Sequence, residues 1–268
     1  MTLTKQALDV EFYRREGYLS PLPLMTEAEA LAHRRALEAA EARLGPLHYK
    51  TKPYLLFSSA NELARHPRLL DAVEALIGPD ILLWDSAYVI KEPGGGKKVS
   101  WHQDLTYWGL SSDRLVTAWI ALSPATLESG CMQFWPGSHR NGKIAHRDGP
   151  SEDNILHRGQ TVAAEIPEDE KTAAELRPGE ASLHHGWLMH GSGPNSSSDR
   201  RIGLTLQYLA PSVKQLFTEK EGATLLRGED RCGHFAAEPA FTRDYDPALI
   251  AWRQEAERLK HAVYDTAR

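Results

Sequence analysis

Between Ile81 and Leu209 the sequence is cut into short apolar, β-branched and aromatic runs separated by turn residues. That texture commits the middle of the chain to a sandwich or barrel of short strands. The runs are ILLWDSAYVIK at 81–91, a stretch at 98–105, RLVTAWIALS at 114–123, CMQFW at 131–135, a stretch at 180–190 and RIGLTLQYL at 201–209. Pro93-Gly94-Gly95-Gly96, Pro136-Gly137 and the loop GSGPNSSSD punctuate them.

The flanks have a helical texture. Thr26 is an N-cap with Glu29 three residues on, ahead of an apolar stripe at Leu31, Leu37 and Leu44 that Gly45-Pro46 stops. A second helix is expected over 61–77, ended by Gly78-Pro79, and a C-terminal one over 247–266, burying Leu249, Ile250, Trp252 and Leu259. The expected organisation is one domain over 1–268, mainly β with flanking helices. It has N-terminal helices in 1–80, a β core in 81–211 and a helical C-terminal segment in 212–268. The polar, poorly periodic stretch 140–175 is too long for an idle loop and is expected to act as a lid.

Composition narrows the partners. Lysine and arginine number 31 against 36 acidic residues, a net charge of −5, so no electrostatic case exists for nucleic acid or an anionic membrane. No run approaches the length of a membrane span, and MTLTKQALDVEFYRREG lacks the apolar core of a secretion signal. With only Cys131 and Cys232, the expected setting is the cytoplasm, with reduced thiols. The expected partner is a small-molecule substrate; the sequence is silent on oligomeric state.

The chemistry concentrates in VSWHQDLTYW. His102 and Asp104, two apart on a strand, share a face at a Cα separation of roughly 7 Å, so an imidazole and a carboxylate can converge on one ion. Two histidines and one carboxylate are the ligand set of non-haem Fe(II) oxygenases. The bland alternative is a polar strand edge. A third ligand must come from SLHHGWLMHGSGPN, where His184, His185 and His190 compete. His190 enters a flexible loop, His184 shares its strand parity, and His185 takes the opposite face; all three would otherwise be structural histidines. In RIGLTLQYL, Arg201, Gly203, Thr205 and Gln207 share one face, and Ile202, Leu204, Leu206 and Tyr208 the other. An arginine on a polar interior face requires an anion, whether an internal acid or a ligand carboxylate. Arg200 has the parity of the apolar face.

The strings WHQDLTYWG, SGCMQFWPGSHR and LHHGWLMHGSGPNSSSDRRIGLTLQY, together with the opening FYRREGYLSPLPLMTEAEA, resemble the phytanoyl-CoA dioxygenase family of Fe(II)/2-oxoglutarate oxygenases. The likeness spans roughly 81–211, with His190 and Arg201 at the family's spacing. It implies a double-stranded β-helix (jelly-roll, cupin-like) core and a catalytic set of His102, Asp104, His190 and Arg201. Fe(II) would be held by His102, Asp104 and His190. The co-substrate 2-oxoglutarate would chelate that iron and rest its far carboxylate on Arg201 and Ser192, with Trp119 and Thr117 packed beside it. O2 completes the set of cofactors. The implied reaction is hydroxylation of an unactivated C–H bond, with 2-oxoglutarate losing CO2 to give succinate. Related halogenases replace the ligand carboxylate by Ala or Gly, and Asp104 therefore favours hydroxylation over chlorination.

Substrate contacts are expected among Tyr107, Trp108, Trp135, Trp187, Gln103, Ser86, Tyr88 and Asn61, or among His139, Arg140, Arg147 and Arg158 of the lid. Core packing is the competing role for each of the aromatic and polar set. Gly94-Gly95-Gly96-Lys97-Lys98 lacks phosphate-loop spacing and reads as a hairpin connection. The rival functions are a non-catalytic metal-binding sensor, desaturation or ring closure at the same centre, and a Zn²⁺ or Ni²⁺ site that recruits His184 or His185.

Overall fold

The computed structural model describes the chain except residues 1–7, 148, 150–152, 157–160, 164, 219–220 and 267–268. In chain order its elements are α1 (Val10–Glu16), β1 (Tyr18–Pro23), α2 (Glu27–Leu44), α3 (Ser58–Ala64), α4 (Pro67–Ile77), β2 (Ile81–Lys91), β3 (Val99–His102), α5 (Leu105–Trp108), β4 (Leu115–Ala121), β5 (Met132–Phe134), β6 (His146–Arg147), β7 (Thr161–Val162), β8 (Thr172–Ala174), β9 (Glu180–His184), β10 (His190–Ser192), β11 (Arg201–Leu209), β12 (Gly222–Arg227), β13 (Ala236–Ala237) and α6 (Pro247–Thr266). The architecture is mainly β with flanking helices, as the strand texture predicts. No helix among the described residues is long and apolar enough to cross a membrane.

The described chain forms two compact units, and β2, β4 and β11 contribute a stretch to each. The first comprises Met1–Leu31, Ile90–Thr106 and Trp119–Gly203. Within it, β1 pairs antiparallel with β9, and the order continues through β4, β11 and β2. A separate four-stranded sheet runs β3-β10-β5-β8. It places His190 opposite His102 on one side and Phe134 on the other. Tyr18 packs on Phe134 at 4.8 Å between ring centroids, beside Ala174 and Leu188.

The second unit comprises Ala32–Val89, Tyr107–Ala118 and Leu204–Arg268. Its strands run β4-β11-β2-β12-β13. Ile202, Leu204, Leu206 and Tyr208 of β11 are fully buried, as the alternation requires. In this unit Tyr208 donates from its hydroxyl to the Ala64 carbonyl at the end of α3. Phe57 stacks on Tyr88 at 6.2 Å.

Several expectations need correction. The first 80 residues are not all helical: YLSPLP forms β1, whose prolines are tolerated because it is an edge strand. The expected 61–77 helix is two helices, because Pro67 cannot continue α3 and instead starts α4. The 98–105 strand stops at His102. The 180–190 strand is two, β9 and β10, separated by a turn. The 140–175 stretch holds the β6–β7 pair and β8, so it is not a structureless loop. The 212–268 segment carries β12 and β13 before α6. Thr26 and Glu29 do form the reciprocal cap: the Thr26 amide donates to Glu29 Oε2 at 2.8 Å, and the Glu29 amide to Thr26 Oγ1 at 3.3 Å.

Candidate metal centre

His102 ends β3, and its antiparallel partner His190 begins β10, so the sheet itself sets the two imidazoles side by side at 4.2 Å between centroids. Asp104 does not share the strand with His102. It lies in the turn into α5, where the Leu105 amide donates to the Gly186 carbonyl. The turn achieves what strand parity was expected to do. One ligand atom from each of His102, Asp104 and His190 lies within 4.8 Å of the others.

The rings are oriented by the backbone. His102 Nδ1 donates to the Ser100 carbonyl at 2.9 Å and His190 Nδ1 to the Leu188 carbonyl at 3.0 Å. Each Nε2 lone pair is left facing the acid, at 3.4 and 3.8 Å from Asp104 Oδ1. Burial would raise the Asp104 carboxyl, but the surrounding His190, His102 and His184 rings override it and hold it well below the usual carboxylate range. Burial, then neighbouring His102, pushes His190 well below the usual imidazole range. Both directions favour the forms a divalent ion binds, an ionised Asp104 and a neutral His190.

Gln103, between His102 and Asp104, is fully buried and serves as a brace. Its side-chain amide donates to the Trp187 and Gly142 carbonyls at 2.7 and 2.8 Å, and its Oε1 accepts the Ile144 amide at 2.8 Å. Its backbone amide donates to His146 Nε2 at 3.0 Å. His185 is outside the triad, its ring tilted against those of His139 and Tyr13 and its Nδ1 accepting the Trp187 amide. His184 lies against Asp104, with Nε2 3.4 Å from Oδ2.

Two residues beyond His190, Ser192 meets a pair of cationic side chains. Its Oγ accepts from Lys91 Nζ at 2.6 Å, and Lys91 also donates to the Ser192 and Gly193 carbonyls. Arg201 is 2% exposed, donates from Nη1 to the Gly130 carbonyl at 2.7 Å and holds its guanidinium carbon 5.1 Å from the Trp119 ring centroid. Burial, then Arg201, lowers the Lys91 ammonium to about 7, against a smaller upward pull from Cys131. Sequence reasoning missed Lys91, which closes β2 behind the apolar run Val89-Ile90. Thr117 is buried in the second unit.

The remaining candidates divide. In the first unit, Trp135 Nε1 donates to Glu170, and His139 Nε2 bonds the Arg14 carbonyl. In the second, Asn61 donates to the Tyr54 carbonyl, Tyr88 is core, and Trp108 meets Trp84 edge-on at 5.5 Å. Arg158 lies outside the described residues.

Comparisons with known proteins agree with this geometry. The family model for phytanoyl-CoA dioxygenase (PhyH) matches residues 13–203. A probable alpha-ketoglutarate-dependent hypophosphite dioxygenase of Stutzerimonas stutzeri is 32% identical over 163 residues, 59% of this chain and 55% of the relative. The peroxisomal phytanoyl-CoA dioxygenase of Homo sapiens is 29% identical over 160 residues, 57% of this chain and 47% of the relative. The chain thus spans about half the length of these curated relatives. The solved apo structure of the non-heme monooxygenase ThoJ superposes with a TM-score of 0.85 at 30% identity, over 96% of this chain and 98% of that one. The core has the cupin-like jelly-roll fold of non-heme 2-oxoglutarate oxygenases.

Proposed function

The chain belongs to the phytanoyl-CoA dioxygenase family, and from that premise we propose that it is an Fe(II)- and 2-oxoglutarate-dependent dioxygenase that hydroxylates an unactivated C–H bond of a small-molecule metabolite. The observation that carries the proposal is the closeness of two charge-specific clusters in the first unit. His102, Asp104 and His190 are grouped closely enough to hold a divalent ion. Two residues along β10, Ser192 joins Lys91 beside Arg201. Bound together, iron, 2-oxoglutarate and O2 supply an oxidation coupled to loss of CO2 and formation of succinate.

The protein's part is positional. His102 and His190 present Nε2 because carbonyls occupy Nδ1. Asp104 contributes the negative charge that offsets a divalent ion. Lys91, Arg201 and the Ser192 hydroxyl bind the far carboxylate of the co-substrate, and the Trp119 indole packs beside it with Thr117 further along the same strand. Gln103 braces 142–146, and we assign 140–175 the task of excluding water from the reacting atoms. Retention of Asp104 is the reason for choosing hydroxylation over halogenation. A reducing, cytoplasmic setting suits the free thiols of Cys131 and Cys232.

The test is anaerobic loading with Fe(II) and 2-oxoglutarate, admission of O2, and quantitation of succinate against a panel of small metabolites, with oxygenated product identified by mass. Succinate release that an accepted substrate stimulates and Asp104→Ala abolishes supports the proposal. A wild-type protein that binds neither metal nor 2-oxoglutarate overturns it.

A further inference from the structure

His184 closes β9 and is 1% exposed, yet neither of its ring nitrogens makes a hydrogen bond among the described residues. A buried imidazole in that state has given up water at both nitrogens without compensation, which folded proteins rarely tolerate. Its surroundings are other rings: His190 at 4.6 Å and Phe134 at 5.8 Å between centroids. The nearby acceptor is specific. Nε2 lies 3.4 Å from Asp104 Oδ2, whereas His102 and His190 approach the other oxygen, Oδ1. The two oxygens of one carboxylate therefore face different partners. His184 is also outside the set of ligand atoms that lie within 4.8 Å of one another.

We propose that His184 is a positioning residue of the metal centre, whose Nε2–H holds Asp104 Oδ2 so that the carboxylate offers the ion Oδ1 alone. The inference rests on the metal-binding reading above. Its chemical sense is one of coordination number. A carboxylate gripping an ion through both oxygens occupies two positions, and a co-substrate that chelates through two atoms then leaves no room for O2 on an octahedral ion. A donor on Oδ2 keeps the acid single-toothed. Outer partners of metal ligands act in this way, and their loss typically weakens metal binding by about 10–100-fold.

The experiment compares Mn²⁺ binding by wild type, His184→Phe and His184→Gln, read from the free-ion EPR signal, with thermal melts in parallel. Phenylalanine keeps the ring and its packing but has no donor; glutamine restores an N–H. The expected result is a loss of about 10–100-fold for His184→Phe and recovery to within about threefold of wild type for His184→Gln. Should His184→Phe not fold, His184→Asn, whose shorter amide stops short of Oδ2, takes its place with the same expected loss. Pulsed EPR of the wild-type Mn²⁺ complex should show two coupled imidazoles. Unchanged affinity in the donor-less variant, or three coupled imidazoles in wild type, overturns the inference. Asp104→Ala serves as the control: if it leaves Mn²⁺ binding intact, the metal reading falls and this inference with it. If Asp104→Ala loses the ion and His184→Phe does not, the inference alone falls.

Discussion

The indole of Trp119 fills the volume that any side chain at Gly203 would need: a Cβ there would collide with the ring itself. Because that same ring packs against the Arg201 guanidinium, Gly203→Ala should displace the aromatic neighbour of the carboxylate site proposed above. The expected destabilisation is about 1–3 kcal/mol, with a 2-oxoglutarate Kd at least about tenfold weaker, since 1.4 kcal/mol of lost contact is a factor of ten. Calorimetric titration and thermal melting check both. An alanine variant with native co-substrate affinity would show that the ring is not part of the site.

Lys91 gives the site a pH dependence. Burial and Arg201 hold it down to about 7, whereas a lysine in an unfolded chain titrates near 10.4. Between those values the unfolded chain carries the additional proton, so this residue makes stability rise with pH across that window. In the proposed role, co-substrate binding has the opposite sign, because only the ammonium attracts the dicarboxylate. The Kd for 2-oxoglutarate should weaken on going from about pH 6 to about pH 8.5, and Lys91→Met should bind weakly with a flatter profile. Isothermal titration of both proteins at the two pH values decides it.

Gln103→Leu keeps the volume of a fully buried side chain but orphans the Gly142 and Trp187 carbonyls and the Ile144 amide. A loss of about 1–3 kcal/mol is expected by denaturant unfolding. The more telling readout is hydrogen exchange, in which the Ile144 amide should lose protection while the strands of the sheet keep theirs.

In the second unit, Lys52 and Glu238 form an ion pair at 2.8 Å with side chains 7% and 0% exposed, and Glu238 also accepts from the Tyr54 and Thr224 hydroxyls at 2.7 and 2.6 Å. Glu238→Gln removes the carboxylate nearest the buried Lys52 ammonium, which keeps its bonds to the Trp84 and Gly222 carbonyls, and should cost up to about 3–5 kcal/mol, while removing both charges with Lys52→Met and Glu238→Gln together should cost less than the single change. Chemical denaturation of the three variants measures the difference.

Much of this site was legible in one sequence because its parts are local motifs. His102-x-Asp104, the His190 loop and the alternation that sets Arg201 apart from Ile202 depend on neighbouring residues and on strand period. Likewise Thr26-x-x-Glu29 caps its helix through contacts three residues apart, and α6 occupies the residues its periodicity marks. The misjudged parts depend on distant partners. Asp104 joins the two histidines from a turn pinned by Gly186, a residue more than eighty positions away. β1 falls in the stretch 1–80 expected to be helical, and its pairing with the distant β9 is what makes it a strand. His184 looked like one of three similar histidines, and treating 180–190 as one strand hid the turn that separates it from His190. Lys91 carries no motif; its role comes from the β10 loop crossing its ammonium.

The antiparallel pairing of His102 with His190 has an evolutionary consequence. Side chains alternate along each strand, so a slip of one residue would turn one imidazole away and bring Gly191 or Trp101 into its place. An insertion or deletion of one residue within either strand would therefore break up the His102–Asp104–His190 group, so change over generations is confined to positions that leave this alignment intact.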